Sequence, residues 1–156
     1  MAEPRVGLGF DVHQRDDARP LWLGGVRFDG EAGLAGHSDG DVVCHALADA
    51  LLGATAHGDI GQHFPDTAPE TAGITGRELL ARTVALLRDA GSTPVACDLT
   101  ILCTSPVVAP QRDHMRRALA DVLMVPIERV SVKGTRPEGL GLTGDGIGCF
   151  ALATVR

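Results

Sequence analysis

The chain has 156 residues, 44% apolar and 22% charged, with a net charge of -6 and only 3% aromatics, none of them tyrosine. That length supports one self-sufficient core rather than two. An acidic chain poor in aromatic rings lacks the basic stripe and stacking platforms of a nucleic-acid binder, so no nucleic-acid partner is expected. A phosphorylated substrate could be held only where metal ions reverse the local field.

Arg5 to His13 reads as a first strand, thinned by Gly7 and Gly9. Leu21-Trp22-Leu23 is a short extended piece stopped by Gly24-Gly25, and residues 30–40, rich in Gly, Ala, Ser and Asp, are expected to form a mobile loop. A helix is predicted from Asp41 to about Ala56, capped by Ser38 or Asp39, with an apolar face that includes Val42, Val43, Ala46, Leu47, Ala50 and Leu51. Residues 58–73 return to loop. A second helix over Gly76–Ala90 turns Leu79, Leu80, Val84, Leu86 and Leu87 inward and stops at Gly91. There follow a strand over 95–102, a helix over 110–123, a strand over 130–133, a Gly-rich loop over 134–148 and a last strand from about Cys149 to Val155. This alternation predicts a single α/β domain over 1–156, a mixed sheet with helices packed on one face.

The four cysteines, Cys44, Cys97, Cys103 and Cys149, lie among apolar neighbours without a CxxC pair, which predicts reduced core thiols. No run reaches the ~18 apolar residues of a membrane span, and the first residues lack an apolar signal region. A cytoplasmic protein without membrane contact is expected.

Asp11 and His13 are two apart on the first strand and therefore point to one face. With His45, early in the first long helix, they form the carboxylate-and-two-imidazole set of an open zinc-type centre, leaving a fourth position for water or substrate. Asp41 and Asp49, four residues either side of His45, are candidates to orient its imidazole. Ahead of that helix stands His37-Ser38-Asp39-Gly40-Asp41. A helix N-cap explains Ser38 or Asp39 but not His37. Gly58-Asp59-Ile60-Gly61 and Phe64-Pro65-Asp66 read equally well as ordinary turn chemistry or as a binding loop.

GFDVH (9–13), HSDGDVVCHALADALLGA (37–54), GDIG (58–61) and FPD (64–66), in this order and spacing, together resemble the 2-C-methyl-D-erythritol 2,4-cyclodiphosphate synthases. The similarity runs essentially end to end and is strongest over residues 5–66. It implies a homotrimer with sheets toward the threefold axis and active sites between neighbouring subunits. The substrate would be a CDP-linked methylerythritol 2-phosphate, whose 2-phosphate attacks the β-phosphorus and expels CMP. The resemblance places zinc (or manganese) at Asp11, His13 and His45, and a magnesium or manganese ion, bridging the diphosphate, at Glu138. His37 and Ser38 would lie on a lid over the phosphates, His37 stabilising the transition state. Asp59, Ile60 and Gly61 would contact the ribose, and Phe64, Pro65 and Asp66 the methylerythritol phosphate. Thr135, Glu138 and Leu142 would complete the substrate contacts, Leu142 standing where the family has the aromatic residue of its trimer-axis channel, and Arg136 and Glu138 join His37 as candidate catalytic residues. Phosphate attacking phosphate needs charge cancellation and in-line positioning, which two metal ions supply without a nucleophilic side chain.

The C-terminal third departs from the family pattern. The usual Lys-Ala-Thr-Thr-Thr-Glu is here Lys133-Gly134-Thr135-Arg136-Pro137-Glu138. A hydroxyl has become a permanently charged guanidinium able to act as a phosphate ligand. Pro106-Val107 replaces Pro-Lys beside the nucleotide. Gly144-Asp145-Gly146-Ile147 shortens Gly-Arg-Gly-Glu-Gly-Ile and loses the arginine lining the trimer axis, so no isoprenoid diphosphate is expected there. These changes leave two alternatives beside the family reaction: a relative using another CDP-polyol phosphate, and a trimeric cytidine-nucleotide-binding protein without turnover.

Overall fold

Strand β1 (Arg5–His13) runs antiparallel to the last strand, which in turn runs antiparallel to the strand that follows the second long helix. A computed structural model describes residues 3–156, and its remaining elements in chain order are β2 (Arg15–Leu23), β3 (Val26–Leu34), α1 (Val42–Ala54), α2 (Ile60–His63), α3 (Gly76–Asp89), β4 (Pro94–Leu102), α4 (Arg112–Leu123), β5 (Val130–Thr135) and β6 (Ile147–Val155). The main sheet has the order β1-β6-β4-β5, mixed because β4 and β5 pair in parallel through the α4 crossover. The α/β class and mixed sheet expected from the alternation are therefore present. Among the described residues, no helix is long and apolar enough to cross a membrane.

The expected loop over residues 30–40 is a correction: β3 extends to Leu34 and pairs with a much longer β2 in a second, two-stranded sheet. Gly24 and Gly25, at φ 60° and 76°, form the two-residue turn, and positive φ at both central residues gives the type I′ twist that matches paired strands. Gly30 and Gly33 dilute the apolar alternation of β3, which hides it from a pattern search. Leu21, Leu23, Phe28 and Leu34 are nonetheless all buried.

Helix α1 is the centre of the core, and nearly every one of its side chains is buried. Its approach to the sheet is set by two glycines. A Cβ on Gly7 would lie 2.0 Å from the Ala50 carbonyl oxygen, and one on Gly9 1.9 Å from that of Ala46. Small residues on both surfaces thus bring helix and strand into backbone contact, which carries His45 to the end of β1. Asp41, rather than Ser38 or Asp39, caps α1. Its carboxylate is fully buried and accepts from the N–H groups of Cys44 (3.1 Å), Gly24 (2.8 Å) and Gly25 (2.7 Å), tying the hairpin turn to the helix start. Asp39 instead accepts from the Asp41 and Gly76 N–H groups, both at 3.0 Å. The helix stops at Ala54, where the Thr55 hydroxyl donates to the Leu51 and Leu52 carbonyls and Ala56 turns left-handed.

Helix α3, capped by Thr75, covers α1. Leu79, Leu80, Val84 and Leu87 point inward as expected, but Leu86 faces solvent at the margin of the apolar stripe. All four cysteines are free and buried, and burial pushes the Cys97 thiol up to about 12. These thiols behave as small core hydrophobes. The helices leave the outer face of β1 and β6 uncovered, so that Val6, Leu8, Phe10, Phe150 and Leu152 are exposed. Phe10 and Phe150 pair there across the strands, with centroids 4.5 Å apart.

Candidate metal centre

The Asp11 carboxylate is the hub of the site. Its Oδ1 accepts from the Val12 N–H at 2.9 Å, while Oδ2 faces His13 Nε2 at 2.8 Å and His45 Nδ1 at 3.1 Å. One ligand atom from each of the three residues lies within 4.8 Å of the other two. The convergence expected from Asp11 and His13 on one strand face, met by His45 from α1, is therefore present.

Each imidazole is oriented through its other nitrogen. His13 Nδ1–H donates to the Ala35 carbonyl at 2.5 Å, and a carbonyl can only accept. A neutral His13 accordingly presents its Nε2 lone pair to Asp11. His45 Nε2 lies 3.0 Å from the Ser38 hydroxyl, which also accepts from the Gly40 N–H at 3.2 Å. Ser38 thus takes the orienting role expected of Asp41 or Asp49. Those two carboxylates are committed elsewhere, Asp41 to the hairpin turn and Asp49 to the Ile60 N–H at 2.8 Å.

Lone pairs facing one carboxylate oxygen repel unless a proton or a cation stands between them. With a proton on His13 Nε2, the imidazole donates to Asp11 instead. Burial alone would raise the Asp11 carboxyl, but hydrogen bonds and charge from His13 and His45 outweigh it and hold Asp11 well below the usual carboxylate range. The Asp11 hydrogen bond in turn raises His13 above the ordinary imidazole value, against the opposing pull of burial. A divalent ion would satisfy all three donors at once, and two imidazoles with one carboxylate suit such an ion. The donor set fits.

The three donors form one end of a cavity of about 360 Å³. Its walls include His37, Ser38, Ile60, Gly61, Phe64 and Asp66, so both expected loops meet the metal end. His37 Nε2 stands 3.6 Å from Asp66 Oδ2, with both side chains largely exposed. Asp59 and Pro65 do not line the cavity. Asp59 caps α2, accepting from the Gln62 N–H at 3.0 Å. A further wall, Thr71 to Ile74 with Leu79, carries no motif and is brought in only by the packing of α3.

Asp49 is a second residue whose role the sequence does not reveal, since it anchors α2 from α1. Burial raises its carboxyl, and the nearby charges of Asp59 and Asp11 add to that against the Ile60 hydrogen bond. A carboxyl whose folded pKa is raised costs stability above its unfolded pKa, and the cost disappears as pH falls through the raised value. Asp49→Asn keeps the acceptor for Ile60 and removes the charge. We expect a melting temperature equal to or slightly above the parent's at pH 7, with the gap closing on acidification; thermal melts at several pH values check this.

The C-terminal candidates lie apart from this cavity. Thr135 and Arg136 line a separate recess of about 100 Å³ together with Cys103, Thr104, Pro106 and Val107. Glu138 and Leu142 are exposed on the loop between β5 and β6 and line neither space. Glu138 has φ 52°, a left-handed conformation that costs a residue with a side chain about 1–3 kcal/mol and clusters at ligand sites.

The fold and the donor set define an α/β protein with an open three-ligand candidate metal centre at one end of a cavity. Comparison with known proteins makes the assignment particular: the model of the YgbB family matches residues 4–156, and the chain belongs to that family. It is 48% identical over 151 residues to 2-C-methyl-D-erythritol 2,4-cyclodiphosphate synthase of Bacillus pumilus, covering 97% of this chain and 96% of that protein. It is 46% identical over 153 residues to the bifunctional enzyme IspD/IspF of Erythrobacter litoralis, spanning 97% of this chain but only 40% of that longer protein. Among solved structures it superposes on a 2C-methyl-D-erythritol-2,4-cyclodiphosphate synthase in a CDP-bound form with a TM-score of 0.90 at 32% identity, covering 97% of this chain and all of that one.

Proposed function

We propose that this protein converts CDP-2-C-methyl-D-erythritol 2-phosphate to 2-C-methyl-D-erythritol 2,4-cyclodiphosphate and CMP, a phosphorus–oxygen lyase step of non-mevalonate isoprenoid biosynthesis. The observation that carries the proposal is the convergence of Asp11, His13 and His45 at the end of a cavity walled by His37, Ser38, Ile60, Gly61, Phe64 and Asp66. An oxygen of the substrate's 2-phosphate attacks the β-phosphorus, the bond from that phosphorus to the CMP oxygen breaks, and CMP leaves with the electron pair.

Zinc or manganese held by Asp11, His13 and His45 would supply Lewis acidity and charge cancellation, as would a magnesium or manganese ion at Glu138. The chain's own groups do the rest. His37 presents an imidazole that can donate to a phosphate oxygen as charge builds there. Asp66 Oδ2 stands 3.6 Å from His37 Nε2 and faces the same cavity. Ile60 and Gly61 would face the ribose and Phe64 and Asp66 the methylerythritol phosphate, with Asp59 and Pro65 shaping those loops from outside the cavity, and Thr135 and Arg136 would meet the diphosphate.

We further place the working site between subunits of a homotrimer, with the sheets toward the threefold axis. Two observations support this. The recess at Thr135 and Arg136 and the cavity at Asp11 are separate on one chain, as fits a site completed by a neighbouring subunit. The uncovered apolar face of β1 and β6 is the kind of surface that a partner buries. Free, buried thiols suit a reducing compartment, which we take to be the cytoplasm.

Phosphorus NMR of the purified protein with the CDP-linked substrate and magnesium, with and without a chelator, tests the proposal. A cyclic diphosphate and CMP that appear only with metal support it. Unchanged substrate would defeat it. Arg136 and Val107, which both line the recess, favour a second reading in which another CDP-polyol phosphate is used; that compound would then release CMP when the methylerythritol one does not.

A further inference from the structure

The loop between β3 and α1 carries His37 on a backbone gripped from both sides. Arg19 Nη1–H donates to the Gly36 carbonyl at 2.6 Å, and Nη2–H of the same side chain donates to the Ser38 carbonyl. One guanidinium therefore bridges the residues before and after His37. The carbonyl of His37 itself accepts from the Gly73 N–H at 3.4 Å, while its imidazole stays 72% exposed.

Strand β2 delivers Arg19 by breaking its own ladder. The register with β3 shifts between Asp16 and Pro20, and Asp16 Oδ1 accepts from the Ala18 N–H at 3.0 Å to hold the irregularity. The bulge lies close over β3: a Cβ on Gly33 would sit 2.5 Å from the carbonyl oxygens of both Arg19 and Pro20. Bulges re-aim side chains, and this one sends an arginine out of the sheet toward the loop over the metal end.

We propose that Arg19 is a positioning residue, whose two-pronged grip fixes the backbone around His37 so that the imidazole and the Ser38 hydroxyl face the cavity in one geometry. The kinetic part of this inference rests on the reaction proposed above; the structural part does not. Ordering backbone costs conformational entropy, and Gly36 and Gly40 make this segment costly to order. A guanidinium is a rigid fork that meets two acceptors at once, whereas an ammonium is a point donor. The hydrogen bonds of Arg19 go to Gly36 and Ser38 and not to the three metal donors or the loop carrying Phe64 and Asp66, and its charge reaches His13 only through space, so its loss is expected to disturb orientation more than binding.

The test compares the parent, Arg19→Lys and Arg19→Ala, each loaded with zinc alone for amide hydrogen exchange over residues 36–40 and then assayed for bound zinc, kcat and KM of CMP release. We expect faster exchange in both variants, zinc content equal to the parent's, and kcat lowered about 100-fold with KM changed far less. Parental kcat in Arg19→Lys would reduce Arg19 to a point charge and overturn the proposal. Unchanged exchange would overturn it as well. So would loss of zinc in step with kcat, which would make Arg19 a support of His13 instead. If the parent itself releases no CMP, the proposed reaction fails, and the exchange measurement still decides the grip.

Discussion

Asp11→Asn is expected to strip the protein of bound metal and of CMP-releasing turnover while leaving the subunit folded. The substitution keeps the size of the side chain and its hydrogen bond from the Val12 N–H, so packing at the end of β1 is preserved. What it removes is the anionic oxygen on which His13 and His45 converge at 2.8 and 3.1 Å. A neutral carboxamide is a weak ligand, and two imidazoles alone are a poor site for a divalent ion. Losing a mere outer hydrogen bond costs such sites roughly 10–100-fold in affinity or activity, and the loss of a ligand itself should exceed about 100-fold. Metal analysis after dialysis, with circular dichroism as the folding control, reads the outcome. Undiminished metal in the variant would remove Asp11 from the donor set.

Gly9→Ala is expected to lower stability by about 3 kcal/mol and to weaken metal binding with it. The added Cβ would come 1.9 Å from the Ala46 carbonyl oxygen and 2.7 Å from the Ala50 N, both backbone atoms of α1 that no rotamer change can move aside. The helix must lift away from β1, and Ala46 is the neighbour of His45. A methyl group on the strand is thereby transmitted to the metal donors. Urea denaturation gives the stability change and competition with a chelating dye gives the metal affinity. Parental values for both would mean that helix and strand can separate without cost, contrary to the packing described.

Much of the site was legible in the sequence because its signals are local. Asp11 and His13 share a strand face by the two-residue period, and the first helix is continuous enough to place His45 early on it. Helices α1 and α3 and strands β1, β4 and β6 follow from periodicity and turn residues within two or three positions. The resemblance of the motifs over residues 5–66 added the family, which the comparisons uphold. The hairpin was not legible: β3 alternates weakly because glycines occupy it, and its pairing with β2 is a contact between segments. Local pattern alone offers Ser38 or Asp39 as the cap of α1, since either is acceptable there. Asp41 holds that place because its carboxylate also satisfies two N–H groups of a turn sixteen and seventeen residues earlier.

By itself, then, the sequence determined the α/β class and the candidate donor set of Asp11, His13 and His45 through local patterning, and it marked the loops beside them through the family resemblance. Only the tertiary structure decided which side chain orients which. It set Ser38 against His45, Asp49 under Ile60 and Arg19 around His37, and it separated the recess at Thr135 and Arg136 from the metal-end cavity. Hydrogen bonds of this kind join residues far apart in the chain, and which of several equally capable donors or acceptors is used depends on where the backbone brings them. No local pattern records that choice.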